Sequence, residues 1–360
     1  MIVDPGALEA LPDLLAREAR RPRFAVISDS NVAELYAGEL VRGLAGQGLP
    51  AEIFTFPAGE AHKNREWWGR LTDGLVEGGF GRDAGVVALG GGVVGDLAGF
   101  VAATYMRGIP VVQVPTTLVA MIDSSVGGKT GVDHPQGKNL VGAFHPPELV
   151  VADPRVIRTL PRAERSQGMA EAVKHGAILD EGYVTELEEM APALLAGSEE
   201  AVGTAVRRSV EIKGDVVSRD EREGGLRQIL NFGHTVGHAL EGVSDYSIPH
   251  GAAVSMGMVV EARLGEELGI TQEGTARRLG RVLEGFGLPV TVPAGLSSSR
   301  ILPFLRSDKK VRDGRLGMVL LERLGVVARG REWVHRIDGQ RLEGLLNRAM
   351  GRNGPNPDLV

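Results

Sequence analysis

The chain has 360 residues, no cysteine and a formal net charge of −6. That length accommodates two domains of ordinary size. The missing cysteines exclude disulfides, thiolate metal ligands and a cysteine nucleophile, and the acidic balance excludes wholesale nucleic-acid binding.

The first 150 residues alternate in type. RFAVISDSN (23–31) reads as a strand ending in polar residues, and NVAELYAGELVRGLAGQG as a helix with a glycine stop. AEIFTFPAGE (51–60) is a second strand, NREWWGRLTDGLVEGGF a helix, AGVVALGGG (84–92) a buried strand and IPVVQVPTT (109–117) another. Alternation at this spacing predicts a parallel sheet with crossover helices. After about residue 153 the pattern turns helical, over ERSQGMAEAVKHGAIL, a long stretch near 181–217, then 226–243 and 251–268. Strand signals are few until 316–320. The expected organisation is an α/β domain at 1–153, a helical domain at 154–350 and a disordered tail at 351–360. The longest apolar stretch, 86–106, holds Asp96 and five glycines, which argues against a membrane span. The N-terminus lacks a basic region before its apolar residues, so no signal peptide is expected and the cytoplasm is the expected compartment.

Gly90-Gly91-Gly92-Val93-Val94-Gly95-Asp96 follows a strand and opens an apolar helix. Such glycines let backbone N–H groups approach a diphosphate at a helix N-terminus. A tight strand-to-helix turn would need them equally. Asp29 and Asn31, after the first strand, suit a ribose or adenine, or a helix cap. Val126-Gly127-Gly128-Lys129-Thr130 imitates the end of a phosphate-binding loop. Its first glycine would be position 123, which is Asp123, and no helix pattern follows, so a nucleoside triphosphatase is rejected. Lys129, Lys138 and Asn139 are expected in a polar, Gly-rich loop able to hold a phosphate or carboxylate, or in a solvated surface loop.

Residues 226–243, LRQILNFGHTVGHALEGV, place Arg227, Asn231, His234 and His238 at i, i+4, i+7 and i+11. On one helix these fall within a sector of roughly 60°, opposite Ile229, Phe232, Val236, Leu240 and Val243. A guanidinium, an amide and two imidazoles in line suit an anion, a metal, or both. His234 and His238 at i, i+4 could chelate, with His250 twelve residues on. Glu171, Lys174 and His175 share another helix face, which is either a local ion pair or the carboxylate side of a zinc site. Asp308-Lys309-Lys310 reads as a solvated basic turn.

Together these segments resemble the 3-dehydroquinate synthase family. The runs are GGGVVGDLAGF, ATYMRG, VPTTLVAMIDSSVGGKTGVDHPQGKNLVGAF, MAEAVKHG, GLRQILNFGHTVGHALE, PHG and DKK, in order from about residue 29 to 310. The resemblance implies a Rossmann-like N-terminal nucleotide-binding α/β domain, an all-helical C-terminal metal-binding domain and an active site in the cleft between them. The implied reaction is that of a phosphate-eliminating lyase. It converts 3-deoxy-D-arabino-heptulosonate 7-phosphate to 3-dehydroquinate through transient oxidation, β-elimination, re-reduction and an intramolecular aldol. NAD is recycled and zinc or cobalt is required.

Carried onto this sequence, the resemblance puts the metal on Glu171, His234 and His250, against the two-histidine reading of the stripe, and leaves His238 to the substrate. NAD would lie against Asp29, Asn31, Glu60, Lys63, Gly91, Gly92, Val93, Asp96, Thr116, Thr117, Asp123, Lys138 and Thr159. Substrate would meet Arg107, Lys129, Asn139, Lys174, Lys213, Arg227, Asn231, His238 and a lysine of the Lys309-Lys310 pair. A homodimer is implied, with no nucleic-acid or membrane partner. Ala252 and His175 depart from residues common in the family, an acid and an aromatic respectively. The competing expectations are another sugar-phosphate cyclase, making 2-deoxy-scyllo-inosose or 2-epi-5-epi-valiolone, a glycerol-dehydrogenase-type polyol dehydrogenase, and a non-catalytic NAD-binding protein.

Overall fold

The computed structural model describes residues 1–307, 311–312 and 315–351. Lys309, Lys310 and all but the first residue of the expected tail lie outside them. The chain divides into two compact units, Met1–Glu164 with Gly197–Val210, and Arg165–Ala196 with Glu211–Val360. The division expected after Asp153 thus falls later, and one helical segment beyond it returns to the first unit. Among the described residues no helix is long and apolar enough to cross a membrane.

The first unit is built on β1 (Ile2–Val3), α1 (Leu11–Glu18), β2 (Phe24–Asp29), a short α2 (Ser30–Val32) and α3 (Gly38–Gly46). It continues with β3 (Ala51–Phe56), α4 (Arg65–Glu77), β4 (Gly85–Gly90), α5 (Gly92–Thr104), β5 (Val111–Pro115), the hairpin β6 (Lys129–His134) and β7 (Gly137–Phe144), and β8 (Leu149–Ala152). Six strands form one sheet in the order β1-β8-β5-β4-β2-β3, and every pairing is parallel.

Alternate side chains explain the continuous apolar strands. Ala25, Ile27, Val86 and Ala88 pack under α4 and α5, against Leu71, Leu75, Leu97 and Val101. Phe24, Val26, Val87 and Leu89 pack on the opposite face against Leu11, Leu15, Leu40 and Leu44. The predicted strands and helices of this unit stand where the periodicity put them. The Lys129–Asn139 segment, expected as a loop, is instead the β6–β7 hairpin. There Gly131 opposes Gly142, and their missing side chains let the strands close up. The short β1 and β8 carried too little periodicity to be foreseen.

The second unit holds most of α6 (Arg162–Leu179), α7 (Glu181–Ala196) and the end of α8 (Glu199–Arg219). It goes on through α9 (His234–Val243), α10 (His250–Glu267), α11 (Thr275–Gly285) and α12 (Ser298–Ser307). Last come β9 (Val311–Arg312), β10 (Arg315–Met318), β11 (Leu321–Arg323), β12 (Val326–Val327), β13 (His335–Asp338) and α13 (Gly339–Gly351). The bulk is helical as expected, but "all-helical" is too strong, because the short strands form a three-stranded and a two-stranded sheet. The 316–320 strand ends at Met318. Helix α10 is buried along nearly its whole length. Its Ala253, Met256, Val260 and Leu264 form one core with residues of α9, α12 and α13.

The predicted 226–243 helix is broken. Leu226–Asn231 is a 3-10 segment, Phe232 leaves helical geometry with ψ 130°, and Gly233 turns left-handed with φ +79°. A side chain at Gly233 would press within 3.0 Å of the backbone of Val254 and Met258 on α10. Close approach to α10 therefore selects glycine there and ends the helical run.

The same packing predicts two glycine substitutions of opposite sign. A Cβ at Gly257 would lie 2.8 Å from Gly237 N, whereas one at Gly280, mid-helix in α11, meets nothing within 4 Å. In denaturant unfolding, Gly257→Ala should lose about 1–3 kcal/mol or more through overpacking, and Gly280→Ala should gain about 0.5–1 kcal/mol. Equal responses would contradict the helix contact.

Candidate active site

In the first unit, β2 leads to β3 on one side of the sheet and β4 leads to β5 on the other. The crevice beyond the carboxyl ends of β2 and β4 is a topological switch point, the usual ligand position in open parallel sheets. Asp29 ends β2, Gly90 ends β4, and Pro115 of β5 lies in register beside Gly90. This brings Asp29, Asn31, Gly91, Gly92, Val93, Thr116 and Thr117 to one edge. Asp29 is a cap, its Oδ1 accepting from Asn31 N (2.9 Å) and Val32 N (3.1 Å). Helix α5 follows Gly91 with no side-chain cap, so its first N–H groups suit an anion. A side chain at Gly91 would reach within 2.9 Å of Thr117, and one at Gly92 within 3.2 Å of Ser124 Oγ. That packing also brings the turn carrying Asp123 (Ala120–Ser124) against the start of α5. Thr116 Oγ1 is buried without a hydrogen-bond partner in the protein, which fits a polar ligand group arriving there. Thr159 shares a 2.7 Å hydrogen bond with Tyr36.

A second cluster lies around Lys63, only 3% exposed. Its Nζ stands 2.8 Å from Glu60, 3.3 Å from Asp96, 3.6 Å from Asp133 and 3.0 Å from Asn139 Oδ1, and Lys138 stands 3.8 Å from Glu60. Burial opposes the Lys63 charge, but Asp96, Glu60 and Asp133 more than reverse this and raise its pKa. Burial pushes Asp96 up to about 6, with Lys63 only partly restraining it. Glu60 is lowered, because Lys63 and Lys138 overcome its burial. Five expected residues, Glu60, Lys63, Asp96, Lys138 and Asn139, are therefore together. Asp133 is the member that sequence reasoning missed. It accepts from Asn139 N (2.8 Å), and Asn139 holds a left-handed φ of +55°. Lys129 is exposed at the start of β6. Arg107 is exposed between Met106 and Gly108, and all three have positive φ.

In the second unit, Glu171, His234 and His250 offer ligand atoms within 4.8 Å of one another. Glu171 Oε1 is 3.2 Å from His250 Nε2 and 3.4 Å from His234 Nε2, and its Oε2 pairs with Lys174. Burial would raise the Glu171 pKa. The Lys174 ammonium and the imidazole contacts hold it well below the usual range instead. Burial, reinforced by Lys174, pushes His234 down. His250 is opposed by burial but lifted to about 10 by its bonds to Glu171 and Glu241. His234 Nδ1 faces the Phe232 carbonyl at 3.2 Å, which can only accept, so Nε2 keeps its lone pair. One carboxylate and two Nε2 atoms in this geometry fit a divalent metal with positions left over.

The stripe is divided. His234 is buried and His238 exposed, their ring centroids 5.3 Å apart. Asn231 Nδ2 donates to Glu223 (2.7 Å) and lines a cavity of about 460 Å³ with Arg222, Gln228, Arg331 and Arg336. Arg227 is buried, with Nη1 donating to Glu221 O (2.6 Å). Lys213 is buried on α8. Sequence reading missed Glu241 and Glu261. Glu241 stands at helical spacing from His234 and His238, and Glu261 is a lone carboxylate in an apolar run, so both left a signal.

The Lys63 cluster predicts a titration. Asp96 should ionise with a midpoint about 6, followed by its carboxyl carbon resonance. Lys63→Met removes the largest restraint on that rise, so the midpoint should move further up. An unchanged or lower midpoint would contradict the pairing.

Comparison with known proteins covers most of the chain. Residues 53–167 match the family described as 3-dehydroquinate synthase N-terminal, and residues 168–311 match 3-dehydroquinate synthase C-terminal. The 3-dehydroquinate synthase of Symbiobacterium thermophilum is 51% identical over 328 residues, 90% of this chain and 91% of that protein. That of Nostoc punctiforme is 42% identical over 346 residues, 95% of each. Among solved structures, 2-deoxy-scyllo-inosose synthase complexed with carbaglucose-6-phosphate, NAD+ and Co2+ superposes with a TM-score of 0.89 at 27% identity, covering 96% of both chains. The 2-epi-5-epi-valiolone synthase of Streptomyces hygroscopicus with NAD+ and Zn2+ bound gives 0.87 at 28%, covering 98% of this chain and 97% of that one. Maleylacetate reductase from Agrobacterium tumefaciens, at 18% identity and a TM-score of 0.68, shares the fold. Matched in order through both family regions, and half identical to a relative over nine-tenths of its length, this chain belongs to the 3-dehydroquinate synthase family.

Proposed function

We propose that the chain converts 3-deoxy-D-arabino-heptulosonate 7-phosphate to 3-dehydroquinate and phosphate, using NAD and zinc or cobalt. The observation that carries the reading is the convergence of Glu171 with His234 and His250 in a chain of this family. When bound, the nicotinamide supplies reversible hydride acceptance and the metal supplies Lewis-acid polarisation of substrate hydroxyls. Glu171, His234 and His250 would hold the metal. The crevice with Asp29, Asn31, Gly91, Gly92, Val93, Thr116, Thr117 and Asp123, together with Glu60, Lys63, Asp96, Lys138 and Thr159, would hold NAD.

The remaining side chains bind and orient. In the first unit Arg107, Lys129 and Asn139, and in the second Lys174, Lys213, Arg227, Asn231 and His238, supply donors for a phosphate and a carboxylate. Lys174 also balances the buried Glu171 charge. The carbonyl of Phe232 and the carboxylate of Glu241 hold the Nδ1 protons of His234 and His250, which leaves both Nε2 atoms for the metal. The other cyclases resemble the chain in fold at 27–28% identity, against 42–51% for the two synthases above. The proposed homodimer is supported by the exposed apolar Leu140 and Phe144 on β7, which pairs only with β6 among the described strands. Light scattering should give twice the chain mass.

Incubated with zinc, catalytic NAD and the heptulosonate phosphate, the protein should release phosphate and dehydroquinate with no net NADH. Stoichiometric NADH would sink the cyclase reading, and preferred turnover of glucose 6-phosphate would favour the other cyclases. His250→Ala should abolish metal occupancy and turnover while NAD binding persists. Full occupancy in that variant would remove His250 from the ligand set.

A further inference from the structure

Two buried carboxylates, Glu241 and Glu261, are not among the residues that would touch NAD, metal or substrate. Glu241 is 3% exposed and Glu261 fully buried. A buried carboxylate is costly unless it is paired or hydrogen-bonded, so what each of them faces is informative.

Helix α9 begins at His234 and has no side-chain cap of its own, because the residue before it is Gly233. Its orphan donors are met from the neighbouring helix. Glu261 on α10 accepts from Gly233 N (2.7 Å) with Oε2 and from Val236 N (3.0 Å) with Oε1, bracketing His234. Its negative charge also sits at the favourable end of the α9 dipole. Helix α10 in turn begins at His250 after Pro249, again without a side-chain cap. The Nδ1 of His250 faces Oε2 of Glu241, on α9, at 3.4 Å, which directs Nε2 toward Glu171. Each helix therefore carries one imidazole at its first residue and the carboxylate that serves the other helix's start. Close glycine packing of Gly233 and Gly237 against α10 gives the two helices little room to slide.

We propose that Glu241 and Glu261 form a reciprocal clasp that pre-orients His250 and His234 for the metal, making both of them positioning residues. Glu241 fixes the tautomer and ring direction of His250, and Glu261 fixes the left-handed turn from which His234 projects. This rests on the proposed ligand set Glu171, His234 and His250.

The test is zinc affinity by chelator competition, together with the visible spectrum of the cobalt-loaded protein and the melting temperature of the metal-free protein. Glu241→Gln should weaken zinc binding about 10–100-fold, the usual effect of removing such a partner. Stoichiometry should stay at one zinc, and the metal-free melting temperature should barely change. Glu261→Gln should weaken zinc binding and also lower the metal-free melting temperature, because a helix cap is impaired. Glu241→Asp should restore part of the affinity. In Glu241→Gln and Glu261→Gln the cobalt bands should shift or broaden as the imidazoles lose their fixed direction. Wild-type zinc affinity in Glu241→Gln would overturn the clasp. So would a second zinc per chain that His238→Ala removes, since Glu241 would then be a ligand beside His238 and His250. Failure of the ligand set itself reads differently, as full metal occupancy in His250→Ala.

Discussion

The Glu171 carboxylate has none of its surface in water, and much of the second unit follows from that. An ion so placed must be matched by opposite charge and hydrogen bonds. Lys174, one turn along the same helix, supplies the charge, while His234 and His250 arrive at the starts of two other helices. Bringing two helix N-termini to one carboxylate requires α9 and α10 to lie unusually close. Glycines 233, 237 and 257 allow this, and a nearly fully buried α10 anchors it in the core. The strongly lowered pKa of Glu171 and the raised pKa of His250 express the same local field. A metal held by Glu171, His234 and His250 would require their deprotonated forms, so its uptake would be coupled to proton release.

The first unit solves a different problem. Its sheet is covered on both faces, so ligands are left with the strand ends, and the reversal of strand order between β2 and β4 opens a crevice there. Charge collects beside it. Lys63 is surrounded by Glu60, Asp96 and Asp133, and the hairpin residues Lys138 and Asn139 close over the same group. Within the first unit the non-glycine residues with left-handed φ are Met106, Arg107 and Asn139, in segments carrying residues expected to meet substrate.

Much of this was legible in the residues. Period-two strands buried on both faces and period-3.6 helices made the α/β half readable, and motif order pointed to the family. The stripe at 227–238 shows where pattern reasoning stops. Its spacing implied one continuous helix, yet the chain breaks at Phe232-Gly233 because α10 passes too near for a side chain. Helical arithmetic across that break therefore put Arg227 and Asn231 on one wall with His234 and His238, while the fold leaves the first two on a separate 3-10 segment and only the two imidazoles together on α9. The β6–β7 hairpin was hidden by its glycines, which look like loop signals until their partners across the hairpin are known.

Composition and local periodicity were enough for the fold class, the glycine-rich strand-to-helix turn and the candidate metal and cofactor residue types, because those depend on neighbours within a few positions. Which carboxylate meets which imidazole, and which way each ring points, depends on contacts such as His250 with Glu171, 79 residues away, and Glu261 with Gly233, 28 residues away. Such pairings arise when buried polar groups in separate helices must satisfy one another, and a linear spacing rule carries no information about partners that packing alone brings together.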